Sequence, residues 1–130
     1  MWGRRPYTDA STLECIEKDT LMDVTALHDL AAQVVIPTDG TLSRTLFQDA
    51  QVKAVLFAFA PGQELSEHTA STAAILHFVQ GEAQVTLGAT VIAACPNTWI
   101  HMPPQQPHSI VATTPVVMLL LLLKSTSTQP

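Results

Sequence analysis

Histidine is the residue type most able to do chemistry in the second half of this 130-residue chain. Four of the five histidines fall between Lys53 and Lys124: His68, His77, His101 and His108. The only charged residues in the same interval are Glu64, Glu67 and Glu82. Because the interval has no Asp, Lys or Arg, it lacks the residues for carboxylate-pair hydrolysis, Schiff-base chemistry or anion binding by Arg. Metal binding, hydrogen bonding and proton transfer by imidazole remain.

The elements that must position these histidines are predicted to be short antiparallel strands. From residue 34 onward, short apolar or alternating segments are separated by turn residues such as PTDG at 37–40, PG at 61–62 and CPN at 95–97. The predicted strands are 34–36, 41–48, 52–59, 64–69, 74–80, 82–87, 90–94, 98–102, 108–113 and 116–123. About ten strands without a βαβ rhythm predict an all-β sandwich or barrel of the jelly-roll type.

The chain before residue 34 follows another pattern. The segment DVTALHDLAAQV at 23–34 has apolar residues at helical spacing and Asp23 as a candidate N-cap, which predicts a short helix or turn. Residues 1–20 and 124–130 are polar and aperiodic and are expected to be flexible or interface arms. The barrel core is therefore expected at about 34–123, within one domain spanning 1–130.

Two segments resemble the paired motifs of the cupin family, over about residues 41–123. They are PGQELSEHTASTAAILHFVQGEAQVTLG, starting at Pro61, and NTWIHMPPQQPHSIVA, starting at Asn97. Gly62 precedes His68 with five residues between them, Gly81 follows that histidine by thirteen positions, and PPQQPH ends in His108. The resemblance, to small RmlC-like cupins, implies a cupin-type double-stranded β-helix, which is a jelly-roll barrel.

The resemblance also implies a depleted metal site. In metal-bearing cupins the first motif supplies two histidines separated by one residue and then a Glu or His on the next strand, and the second motif supplies one more histidine. His68 and His108 match the end positions, whereas Ala70 and Ala74 stand at the other two. Tight transition-metal sites use three or four protein ligands. The site is therefore expected to be weak or absent, with Zn, Ni, Fe or Mn as the metals that His68 and His108 would hold, or to be a polar pair bridged by water.

Strand alternation separates the remaining candidates into two faces. If Ala74 faces inward, Leu76 and Phe78 do as well, and they are predicted to line the pocket with Ile100, Met102 and Ile110. His77 and His101 then point outward, unless a β-bulge reverses the alternation. If their strands pair, His77 and His101 are an alternative metal pair on an outer face, where a dimer brings four imidazoles together. The other interpretation makes them separate surface or interface histidines.

Two functions remain open from the sequence. One is a small cupin barrel that binds a small, mostly apolar molecule in its cavity as a sensor, carrier or accessory protein. The other is a metal-dependent enzyme, an oxygenase or isomerase, that uses His68 and His108. The sequence does not decide whether the protein is an enzyme.

Composition limits the partners and the compartment. The net charge of -5 and the absence of a basic stripe argue against nucleic acid. With 47% apolar and 13% charged residues, one barrel face with Val79, His77, Trp99 and His101 outward is expected to form a homodimer. The segment VVMLLLLL at 116–123 is too short to cross a bilayer. Cys15 and Cys95 are far apart and no signal-peptide pattern is seen, so a cytoplasmic location with reduced thiols is expected.

Overall fold

Eleven strands and one short 3₁₀ helix make up the regular structure of the residues that the computed structural model describes, which are 18–21 and 23–124. The chain divides into two units, Met1–Leu30 and Ala31–Pro130. The 3₁₀ helix, Leu30–Gln33, crosses the boundary between them.

The first unit contains an antiparallel hairpin of β1 (Lys18–Leu21) and β2 (Val24–Leu27). The short helix or turn predicted over 23–34 is therefore wrong for Val24–Leu27, which form β2, and is confirmed only for the 3₁₀ helix Leu30–Gln33. Residues 18–20, which were expected in a flexible or interface arm, belong to β1. Val24 and Thr25 are β-branched residues that favour extended backbone, and Asp23 lies in the hairpin turn instead of at a helix N-cap. Residues 1–17, with Cys15 and most of the predicted N-terminal arm, lie outside the described residues.

The second unit is a jelly roll of two antiparallel sheets. Its strands are β3 (Thr41–Gln48), β4 (Val52–Phe59), β5 (Glu64–His68), β6 (Ala74–Gln80), β7 (Ala83–Leu87), β8 (Thr90–Ala94), β9 (Trp99–Met102), β10 (His108–Ala112) and β11 (Val116–Leu123). One sheet has the order β3-β4-β11-β6-β9 and the other β5-β10-β7-β8. The predicted all-β class is confirmed, and nine predicted strands agree with these bounds to within one residue.

The remaining predicted strand, 34–36, is not formed, so this prediction is wrong. These residues have no strand partner, and the side chain of Val35 is 78% exposed. Pro37 follows directly, and it lacks a backbone N–H and restricts the conformation of the residue before it. The apolar composition of the segment thus predicted a strand, but its backbone pairs with no other strand.

The core lies between the facing sides of the two sheets. Its largest fully buried members are Phe59, Leu76, Phe78, Val85, Ile110, Val116 and Met118. The central strands β4 and β11 are also at least partly buried on their other face, because Leu56, Ala58 and Val117 have no exposed surface and yet lie outside this core cluster. Burial on both faces explains the continuous apolar sequence of β11.

Both ends of the large sheet are held by specific contacts. At one end, Gly81 makes the β6–β7 turn with φ of 90°, and a Cβ there would overlap the carbonyl oxygen of Pro115. At the other, Lys124 Nζ donates to the carbonyl oxygen of Asp49 at 2.7 Å. Lys124, predicted to belong to a solvated tail, is therefore anchored to the β3–β4 turn, while 125–130 lie outside the described residues. Within the described part of the chain, no helix has the length and apolar character to cross a membrane.

Candidate functional site

His68 and His108 are brought together by strand pairing in the smaller sheet. They are direct partners across β5 and β10. Their rings are in contact, with centroids 4.3 Å apart and planes inclined by 57°. The structure therefore joins the two histidines that the motifs single out, although they are forty positions apart in the sequence.

A β-bulge is needed to turn His68 toward its partner. His108 lies opposite His68, but Ile110 lies opposite Leu65, so the register shifts by one residue. Residues 66–67 thus occupy the place of one residue, and both Leu65 and His68 face the side of the sheet that carries the core. In a regular strand these two side chains would point to opposite faces.

Backbone carbonyl groups set the orientation of both rings. Nδ1 of His68 donates to the carbonyl oxygen of Ser66 at 2.8 Å, and Nδ1 of His108 donates to that of Gln106 at 2.8 Å. A carbonyl oxygen only accepts, so Nδ1 carries the proton and, in the neutral ring, Nε2 carries the lone pair. Neither Nε2 has a hydrogen-bond partner among the described residues. When both rings are neutral, the pair therefore presents two nitrogens able to accept a hydrogen bond or to bind a metal.

The pair lies at the boundary between the core and the solvent. His108 is 5% exposed and His68 is exposed. Ile110, on the same face of β10 as His108, is fully buried, and Leu65 packs against the same core. A molecule bound here would contact apolar side chains on one side and the two imidazoles on the other.

Further metal ligands are not assembled around the pair. Within residues 18–21 and 23–124, no group of three or more His, Cys, Asp or Glu side chains is placed to hold a metal ion. Ala74 is 1% exposed and packs in the core opposite Met102 and Leu122. Ala70 is half-buried, and its carbonyl oxygen accepts a hydrogen bond from Gln105 N at 2.8 Å. The two histidines thus supply only about half of the ligands that an ordinary transition-metal site has.

The residues predicted to line the pocket are all buried in one cluster. Leu76, Phe78, Ile100, Met102 and Ile110 are each at most 8% exposed and belong to the core between the sheets. The first four share one apolar interior with Ile110, which lies on the same face of β10 as His108. Their contact with a bound molecule stays a prediction.

The second pair, His77 and His101, lies on the other sheet and faces away from the core. Strand β6 pairs with β9, His77 lies opposite Trp99, and His101 lies opposite Ile75. The two histidines are therefore diagonal neighbours on one outer face. His77 is half-buried and His101 is exposed. The alternation expected from the sequence is found, and it keeps both away from His68 and His108.

Two features of the first pair were missed by sequence reasoning. The carbonyl groups that hold the rings, at Ser66 and Gln106, are backbone atoms with no signature in residue type. Gln105 adopts a positive φ of 67° in the loop before His108, and the PPQQP segment signals a turn there without indicating its conformation.

Comparison with known proteins identifies the architecture. No protein-family model matches the sequence, and neither does any curated protein. A cupin superfamily protein from Desulfitobacterium hafniense is similar in structure, with 25% identity over 85% of this chain and 100% of that chain and a TM-score of 0.73. A conserved protein of unknown function from Streptococcus pyogenes has 27% identity over 88% of this chain and 99% of that chain and a TM-score of 0.72. An RmlC-like cupin from Desulfovibrio desulfuricans has 24% identity over 75% and 95% of the two chains and a TM-score of 0.68.

Proposed function

We propose that this chain, which has the cupin fold, binds a small and largely apolar molecule beside His68 and His108 as a sensor, carrier or accessory protein. The fold expected from the two motifs is confirmed by the sheet order and by the cupins of known structure that share it. The fold does not specify the ligand, so the proposal rests on the site.

The observation that carries the proposal is the pair of adjacent Nε2 atoms at the edge of an apolar core. Both atoms accept hydrogen bonds when the rings are neutral, because both Nδ1 protons are used by carbonyl groups. The matching ligand has a hydroxyl or N–H donor on an otherwise apolar body. Phosphorylated sugars and dicarboxylates fit poorly, because no Lys or Arg occurs between Lys53 and Lys124.

A binding experiment with simple probes tests this ligand class. Phenol, as an apolar molecule with one hydroxyl donor, should shift the imidazole NMR signals of His68 and His108, whereas glucose 6-phosphate should not. His108→Ala should abolish the phenol response, and His28→Ala, at an exposed position in the other unit, should leave it unchanged. Shifts produced by the sugar phosphate and not by phenol would contradict the proposed ligand class.

A second candidate is a metal-dependent oxygenase or isomerase, favoured by the orientation of the two rings. Metal-binding histidines in proteins commonly donate their other ring N–H to a carbonyl group, as both Nδ1 atoms do here. His68 and His108 would hold the metal through Nε2, and the metal would supply Lewis-acid or redox chemistry. The two-ligand donor set counts against this candidate.

Metal content separates the two candidates. The protein purified without an affinity tag should contain no metal that His68→Ala removes if the first proposal holds. Stoichiometric Zn, Ni, Fe or Mn that is lost in His68→Ala would favour the enzyme. Ala70→His restores the motif position of one missing ligand and should raise the affinity for Ni²⁺ or Zn²⁺ at least about tenfold.

A further inference from the structure

We propose that His77 and His101 form half of a zinc site that a second copy of this chain completes. The surface concerned is the outer side of β6 and β9, which we call the outer histidine face and which consists of Ile75, His77, Val79, Trp99 and His101. This inference is independent of the proposed ligand site, because His68 and His108 lie on the other sheet and the outer histidine face points away from the core.

The two imidazoles are placed to share one metal ion. Because His77 lies opposite Trp99 and His101 lies opposite Ile75, the histidines are diagonal neighbours in an antiparallel pair, with a backbone separation of about 7–8 Å. Side chains at this separation reach a common point above the sheet. His101 is exposed and His77 is half-buried, so ligand access does not require opening of the core.

One copy of the chain does not complete the site. A closed zinc site has four protein ligands in a tetrahedral arrangement, and no group of three candidate ligands exists in the part of the chain that the structure describes. A two-fold axis doubles every residue of an interface. Two outer histidine faces packed across such an axis therefore supply four imidazoles. Sheets pack about 10 Å apart, so the midplane lies about 5 Å from each backbone, within reach of an imidazole nitrogen.

The absence of formal charge favours another copy of the same face as the partner. Neither β6 nor β9 contains a charged residue, and neither does β11 beside them. A two-fold contact places each face against itself, so charged residues here would repel their own copies. The net charge of -5 is carried by residues outside these three strands and does not oppose contact at this point.

The size of the face explains why a metal is needed. Trp99 is 60% exposed, whereas Ile75, His77 and Val79 are each partly buried. The five side chains together expose less than the roughly 800 Å² per partner that a standard interface buries. Apolar contact at this face is therefore expected to be weak alone, and zinc bound by both copies would make association depend on the metal.

Measurement of molecular mass with and without zinc tests the proposal. The full chain at low micromolar concentration should sediment as a 14.0 kDa species in EDTA and at twice that mass with excess ZnCl₂, with one zinc ion per two chains. His77→Ala and His101→Ala should each raise the zinc concentration needed for dimerisation by at least tenfold. His101→Gln, at the exposed position, provides a second variant if a substitution at the half-buried position impairs folding.

Matched histidine substitutions identify the residues responsible. His28→Ala, His68→Ala and His108→Ala should leave zinc-dependent dimerisation unchanged. The proposal is overturned if zinc binds one per chain without a change of mass, or if the dimer persists equally in EDTA. It is overturned as well if the zinc response is lost in His68→Ala or His108→Ala and kept in His101→Ala and His101→Gln.

Discussion

The two histidines of the candidate site differ in burial, and this predicts unequal effects on stability. His108 is 5% exposed, whereas His68 is exposed. His108→Ala leaves a cavity beside Ile110 and removes the partner of the Gln106 carbonyl group, so it should lower the free energy of unfolding by about 2–3 kcal/mol. His68→Ala should cost less than about 1 kcal/mol. Urea unfolding of both variants measures the difference, and equal losses would contradict the assigned burial.

The carboxylate of Asp49 is hydrogen-bonded within the β3–β4 turn. Its side-chain oxygen accepts hydrogen bonds from the backbone N–H groups of Gln51 and Val52 at 2.8 and 2.9 Å. These bonds, and to a smaller degree the charge of Lys124, hold the pKa of the Asp49 carboxyl below its ordinary value of 3.8. A depressed pKa means that the ionised form stabilises the folded chain. This stabilisation is fully present well above pH 3.8 and is lost as the pH falls through the lowered pKa.

The variant Asp49→Asn isolates that contribution. An Asn oxygen still accepts both hydrogen bonds, but it does not titrate. The Tm of the wild-type protein should therefore fall more steeply than the Tm of Asp49→Asn on acidification from pH 4.5 to pH 2. Parallel Tm curves for the two proteins over this interval would show that the carboxylate contributes nothing.

How much of the site could be predicted depends on which atoms build it. The spacing from Gly62 to His68 and the PPQQPH segment identify both histidines, because residue type is visible in a sequence. The carbonyl groups of Ser66 and Gln106 are not visible, since every residue has one. The bulge that turns His68 inward depends on pairing with β10, which is a long-range contact that local patterns do not contain.

Two turn glycines with similar φ values should respond differently to the same substitution. Gly81 has φ of 90° and Gly62 has φ of 83°. A Cβ at Gly62 meets nothing within 4 Å, whereas a Cβ at Gly81 overlaps the backbone of Pro115 and Val116. Gly62→Ala should thus lower the free energy of unfolding by about 1–2 kcal/mol, which is the cost of placing a side chain in the left-handed conformation.

Gly81→Ala should lower the free energy of unfolding at least twice as much as Gly62→Ala, because the start of β11 must move away from the β6–β7 turn. Chemical unfolding of the two variants gives the comparison. A loss at Gly81 no larger than the loss at Gly62 would mean that the contact with Pro115 relaxes easily.

Strands with a clear local sequence pattern could be predicted, whereas elements that depend on pairing with another segment could not. Most of the strands β3 to β11 alternate or are apolar throughout, and six of them are followed within three residues by Gly or Pro, so their periodicity and the turn residues identified them. The hairpin of β1 and β2 was missed because Val24, Leu27, Leu30 and Ala31 happen to match helical spacing over a short segment. Only pairing between strands separates a true strand from the apolar segment 34–36, and a single sequence does not show that pairing.

For the whole molecule, the topology predicts slow folding. The core requires pairing between distant segments, such as Val55 with Leu120 and Leu65 with Ile110. Closing these long loops loses entropy before the contacts form, so all-β chains of this kind fold in about milliseconds to seconds. Stopped-flow dilution from urea, followed by far-ultraviolet circular dichroism, measures the rate. Complete folding within microseconds would contradict the observed strand order.

The central position of β11 also affects how the protein is made in the cell. This strand is the last to be synthesised of the nine strands of the jelly roll, and yet it lies between β4 and β6. Until residues 116–123 have emerged from the ribosome, β4 and β6 lack a neighbour on their inner edges, and their apolar residues are open to chaperones and to other nascent chains. A ribosome-bound chain whose emerged part ends at residue 115 should be sensitive to protease and retained by chaperones that bind nascent chains. One that has emerged through Lys124 should become resistant, because its large sheet is complete.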